Sequence, residues 1–165
     1  SGNVKIMPMD PLDEVYQELS QYISKNNLGN EITLQNSDSF VRIRIEGVLM
    51  FYPDSPQLLD SSKPIIKTIA QALIKIYDRI DRITISGHTA TMGEYTKQNN
   101  AFAWSLSVNR ANTVRESLTE CGLKEGKISL EGYGHNVPIA PNSTEAGRSK
   151  NRRAEITVYK NTIQK

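Results

Sequence analysis

Cysteine is almost absent from this chain. Cys121 is the only one in 165 residues, so no disulfide forms within the chain and no multi-cysteine metal site can be built. Its place near the end of an expected helix marks it as a small, semi-buried apolar side chain. Histidine is scarce as well. His88 and His135 are the only two, and with no carboxylate or thiol clustered beside them they are a poor zinc donor set. No metal and no cofactor is expected. Excess charge is also lacking: 20 Lys and Arg stand against 18 Asp and Glu. A balance of +2 is too small for a nucleic-acid footprint, and no aromatic interleaving accompanies the basic residues. No apolar run reaches the length of about 18 residues needed to cross a bilayer. Catalytic signatures are missing too. There is no nucleophile elbow, phosphate loop, HExxH or paired carboxylate, so an enzyme is not expected.

What is present suits a folded domain. The hydrophobic fraction is 38% and the charged fraction 23%, and the length is enough to bury a core unaided. The opening Ser1-Gly2 reads as a cleavage scar on an excised soluble piece. The first ten and last five residues read as loose ends.

Asp10-Pro11 is a helix start, an N-cap carboxylate followed by proline at the first helical position. Leu12, Val15, Tyr16, Leu19 and Ile23 then form a helical stripe. That helix is expected to end near 26–30, with Gly29 as its cap. Residues 31–35 and 40–45 read as paired strands, Val41, Ile43 and Ile45 alternating with charged neighbours. After the turn Pro53-Asp54-Ser55-Pro56, a helix is expected over 61–77, a strand over 82–86 and a polar loop over 87–100. A further helix with Ser105 as N-cap should occupy 105–120, closed by Gly122. A strand over 127–133, a long loop over 134–150 and a last strand over 153–159 complete the order. Strands and helices in this alternation predict an α/β (α+β) two-layer sandwich, a mixed sheet with helices on one face. The expected division is an extension with an amphipathic helix (1–30), one domain (31–160) and a tail (161–165).

Five local patterns occur in a specific order: Gly87-His88-Thr89 ending a strand, Leu106-Ser107-Val108-Asn109-Arg110-Ala111 in a helix, Gly132-Tyr133-Gly134, Pro138 with Asn142, and Asn151-Arg152-Arg153-Ala154-Glu155. This set resembles the OmpA-like peptidoglycan-binding domain over roughly residues 38–160. A finer resemblance is to the MotB family of flagellar stator proteins. It rests on Val48-Leu49-Met50-Phe51 with Ser55 and Leu58, on Trp104-Ser105-Leu106-Ser107, on residues 146–153, and on a helix ahead of the first strand.

The resemblance implies non-covalent binding of peptidoglycan, stem peptide and glycan, on the extracytoplasmic side. It also implies a homodimer, tethered to the cytoplasmic or inner membrane by a helix outside this chain and working with a MotA-like membrane partner. An OmpA/Pal-type envelope tether is the alternative. The ligand-binding residues implied are Phe51, His88, Thr89, Leu106, Ser107, Arg110, Arg152 and Arg153. In the family, an aspartate after Gly-His-Thr and the arginine of LS-x-x-RA hold the amino and carboxylate ends of a wall peptide's diamino acid. Here Arg110 is present, but Ala90 stands in the aspartate's place, Ala103 in that of a usual asparagine, and Tyr52 in that of a frequent aspartate. Arg110, placed in the first turns of its helix, is mildly unfavourable against the helix dipole, and that cost points to a partner. Glu94 is the nearest acidic substitute in sequence. His88 and Thr89 are expected to shape the groove wall, Gly87 to supply an unusual backbone conformation, and Trp104 and Tyr133 to offer stacking surfaces.

Overall fold

A computed structural model describes residues 8–91 and 93–161. The expected scar and most of both loose ends lie outside the described residues. Helix α1 spans Pro11–Lys25, and the Asp10 carboxylate accepts from the Leu12 N–H at 2.8 Å, satisfying one of the end's orphan donors. The helix does not stop on Gly29. Asn27 takes the left-handed conformation (φ 56°), which asparagine tolerates because its short polar side chain bonds locally.

Strands β1 (Ile32–Asn36) and β2 (Phe40–Glu46) form the expected antiparallel pair. A single helical turn, α2 (Gly47–Met50), leads through the 51–59 segment into α3 (Lys63–Ile76). Strand β3 (Ile80–His88), helix α4 (Lys97–Glu120), strand β4 (Ile128–Gly132), helix α5 (Glu145–Asn151) and strand β5 (Arg153–Lys160) follow. The sheet order is β1-β2-β5-β3-β4. All pairs are antiparallel except β3 with β4, the one step that needs a helical crossover.

Alternation sorts the sheet's two faces. Val41, Ile43, Ile45, Ile83, Ile85, Ala154, Ile156 and Val158 share one core cluster with Leu12, Val15 and Leu19 of α1, Ile66, Ile69 and Leu73 of α3, and Ala111, Val114 and Leu118 of α4. The architecture is therefore the expected mixed sheet with its helices on one face. Helix α1, read as an extension, contributes to that same core. Cys121 is half-buried against it.

Two corrections bear on the site. Helix α4 begins more than two turns earlier than Ser105, with the Thr96 hydroxyl accepting from the Asn99 N–H at 3.0 Å. Its first turns carry Lys97, Gln98 and Asn99 and no acidic residue, so the polar stretch conceals a helix whose outer face is solvated. Arg110 consequently lies well inside the helix, and the dipole argument for a partner does not apply to it. The long loop of residues 134–150 also contains α5, capped by the Thr144 hydroxyl accepting from the Gly147 N–H at 3.0 Å.

Gly87 is required for a different reason from the one expected. Its φ is not positive. A Cβ there would stand 2.0 Å from the Ser107 carbonyl oxygen, so the glycine permits α4 to lie directly on β3.

Candidate functional site

Arg110 projects from α4 toward the segment after α2. Its Nε donates to the Ser55 carbonyl at 2.9 Å and its Nη2 to the Tyr52 carbonyl at 3.2 Å. The guanidinium carbon lies 4.7 Å from the centre of the Phe51 ring, within cation–π range. The residue is only 6% exposed. Burial pushes its pKa down to about 10, with Asp54 opposing and Arg152 adding to the shift, so it remains a cation at neutral pH. The turn Pro53-Asp54-Ser55-Pro56 is thereby explained: it turns carbonyls toward Arg110, with Asp54 in the left-handed region (φ 53°). Two N–H directions are committed to backbone. Nη1 has no acceptor among the described residues and lies on the side of Gly47. A side-on grip of a ligand carboxylate through Nε is thus closed, and the Nη1/Nη2 end is what remains to offer.

That end faces a groove of ≈ 850 Å³, walled by Gly47, Val48, Phe51 and Asp54 on one side, residues 89–91 and 93–95 on another, and Asn99, Phe102, Ala103 and Leu106 of α4, with His135 and Arg152 completing it. Five of the residues implied by resemblance meet here: Phe51, Thr89, Leu106, Arg110 and Arg152. The Thr89 hydroxyl is buried with no hydrogen-bond partner among the described residues, an arrangement that costs free energy unless a ligand or water supplies one. Ala90 and Ala103 also line the groove, so the two alanines noted in the sequence do face this space. Its carboxylates are Asp54 and Glu94. Asp54 was passed over because proline on one side and Ser-Pro on the other read only as a turn.

Three implied residues lie elsewhere. Ser107 is fully buried. Its hydroxyl donates to the Trp104 carbonyl at 2.9 Å and accepts from the Gly134 N–H at 3.0 Å, which fastens α4 to the end of β4. His88 and Arg153 are register partners on the helix-free face of the sheet. His88 stacks on Tyr133, ring centres 5.0 Å apart and 9° between planes, and its Nε2 pairs with the Ser86 hydroxyl at 3.0 Å. Tyr133, expected as a ligand surface, is thus occupied. Arg153 donates to Glu155 at 2.5 Å and to the Val137 carbonyl at 3.0 Å. Glu155 also pairs with Arg44 at 3.2 Å and Arg42 at 3.6 Å. Burial works to raise its pKa, but the Arg153 hydrogen bond and the surrounding positive charge prevail and hold it below the usual range. His88 is pushed down to about 4, first by burial and then by Arg153.

The remaining motif residues are structural. The Asn151 amide accepts from Ile139 and Ala140 N–H at 2.7 and 3.0 Å and donates to the Ala140 carbonyl and Asn142 Oδ1 at 2.8 and 2.7 Å, which locks the loop between β4 and α5. Of the basic cluster, Arg148 and Arg152 pair with Glu145 at 3.0 and 2.7 Å, and Lys150 pairs with Glu46 at 2.8 Å. A smaller cavity of ≈ 580 Å³ lies between α1 and α3. Its charges already pair with one another, Lys75 with Glu18 and Arg79 with Glu14.

A buried arginine presented at one end to an open groove, behind a Gly-His-Thr strand end and within a helix reading Leu106-Ser107-Val108-Asn109-Arg110-Ala111, now has its geometry. The OmpA family matches residues 50–152, the span that builds almost all of the groove. This chain belongs to the OmpA family. It is 30% identical over 157 residues to Motility protein B of Bacillus subtilis, covering 93% of this chain and 58% of that protein. Among solved structures it resembles the cell wall anchor of the T6SS from Pseudomonas aeruginosa, with a TM-score of 0.72 at 26% identity over 86% of this chain and 96% of the other. It also resembles the periplasmic domain of Helicobacter pylori MotB, with a TM-score of 0.71 at 26% identity over 85% of each chain. As an OmpA family member it spans under two thirds of the length of the Bacillus relative. Among the described residues no helix is long and apolar enough to cross a membrane.

Proposed function

We propose that this OmpA family domain binds peptidoglycan non-covalently and without catalysis, and that it anchors a MotB-like flagellar stator to the cell wall. The observation that carries the reading is Arg110: a guanidinium fixed by two backbone carbonyls and an aromatic ring, with its Nη end left toward an open groove. Such a group is pre-organised for a carboxylate, and wall stem peptides carry one. Catalysis has no supporting geometry at this site. His88 is buried against Tyr133 on the opposite side of the sheet, and His135, which does line the groove, meets the Tyr95 ring edge-on.

The likeness to Motility protein B extends over 93% of the chain, and so includes α1 ahead of the family-matched segment. This favours a stator over an OmpA/Pal-type tether. The rest of the proposal follows the same likeness: a homodimer on the extracytoplasmic side, a membrane helix preceding this domain, and a MotA-like membrane partner for that helix. The test is co-sedimentation with purified peptidoglycan, comparing wild type with Arg110→Ala at matched folding by thermal melt. Wild type should be retained and Arg110→Ala released about tenfold to a hundredfold more readily, the loss expected for one charge-assisted bond. Equal retention of both removes Arg110 from the site.

A further inference from the structure

The groove that takes the Arg110 guanidinium is larger than a carboxylate needs, and its remaining lining has a distinct chemistry. Tyr95 and Phe102 both line it, yet they are 70% and 52% exposed and neither belongs to the core cluster. Two large rings open to solvent in one groove are not explained by packing. Both are held. Tyr95 meets His135 edge-on, ring centres 5.5 Å apart, and Phe102 is carried by the 24-residue α4. Polar groups stand among them: Asn99, Glu94 and His135 line the same groove, and Asn99 Nδ2 makes only a long contact, 3.4 Å, to the Glu94 carbonyl.

A pyranose ring has matching chemistry. One face is a sheet of C–H groups that settles on an aromatic ring, and its edge is a row of hydroxyls that need amide, imidazole or carboxylate partners. An apolar peptide side chain would call instead for an enclosed, dry pocket. Resting on the wall-binding reading above, we propose that Tyr95 and Phe102 form a glycan subsite, which seats a sugar ring of the wall strand while Arg110 takes the carboxylate of the attached peptide. The groove would then read the junction of sugar and peptide rather than the peptide alone.

The test uses two soluble probes, a bare stem peptide and the same peptide carrying its amino sugar, titrated calorimetrically into wild type and the double variant Tyr95→Ala/Phe102→Ala. Wild type should bind the sugar-bearing probe roughly threefold to tenfold more tightly than the bare one. The double variant should bind both equally, at the wild-type affinity for the bare peptide. Its melting temperature should be unchanged, since both rings lie outside the core. The proposal is overturned if the sugar adds nothing in wild type, or if the double variant loses the bare peptide as well, which would make the rings a peptide subsite. A wild type that binds neither probe overturns the wall-binding reading and this subsite with it. Binding of the bare peptide without a sugar increment overturns the subsite only.

Discussion

His88 should make this domain acid-sensitive in a pH range where carboxylates alone would not. The ring is 3% exposed, stacked on Tyr133 and faced by Arg153, Arg44 and Arg42 with Glu155 among them. Its pKa falls from 6.5 to about 4 on folding. A histidine with a depressed folded pKa binds more protons when unfolded, so stability rises with pH across that window. The contribution is complete above about pH 6.5 and is lost as pH falls toward 4. The full displacement corresponds to about 3 kcal/mol, of which about 2.5 kcal/mol is lost by pH 4.5. The perturbation is His88→Gln, which retains a partner for the Ser86 hydroxyl but does not titrate. Urea unfolding of both proteins from pH 7.5 to 4.5 isolates the effect, because the two differ in no other titratable side chain. Wild type should lose about 2.5 kcal/mol more than the variant over this range, most of it below pH 6. Parallel stability curves would refute the reasoning.

Other outcomes follow from the same geometry. Gly87→Ala places a methyl 2.0 Å from the Ser107 carbonyl oxygen; α4 must then move off β3 by roughly 1 Å, at a cost of ~3 kcal/mol or more, measurable as a lowered midpoint in chemical denaturation, and an unchanged midpoint would contradict the close helix–strand approach. Glu155→Gln leaves the buried Arg153 without its carboxylate and should cost ~3–5 kcal/mol; a loss below about 1 kcal/mol would show that Arg153 does not depend on it. Ala90→Asp puts a carboxylate into the groove that holds Arg110 and should tighten binding of a free diamino-acid ligand by ~1.5–3 kcal/mol in calorimetry. No gain would mean that Asp54 or Glu94 already meets the ligand's ammonium.

The fold was legible in the sequence where one face of an element is buried. The alternation in β2 and β5 and the stripes of α1 and α3 are driven by the same core that makes them periodic. The start of α4 was not, because residues 97–101 show the sequence no apolar stripe. Helix α5 was hidden for a similar reason: Gly147 and Asn151 are its buried residues, and neither registers as hydrophobic. At the site, the motif pointed to an arginine that lines the groove but not to its surroundings. Arg110 was identified through its motif, whereas Asp54, Tyr95 and Phe102 reach the groove through tertiary folding that no local pattern encodes. His88 and Arg153 went the other way. They flank groove residues in sequence, but strand alternation turns each to the opposite face, a consequence available from the period for Arg153 at once and for His88 when its strand is extended from Ser86 to His88.

Recognition of a carboxylate by Arg110 can be measured without intact wall. A soluble stem peptide ending in its diamino acid, and its form with that residue's terminal carboxylate amidated, are titrated into wild type and Arg110→Ala, giving a cycle of four affinities. Amidation should weaken binding to wild type by ~1.5–3 kcal/mol and make little difference to Arg110→Ala, so that most of the carboxylate's contribution appears as coupling to that side chain. Equal affinity of wild type for both peptides would contradict the account.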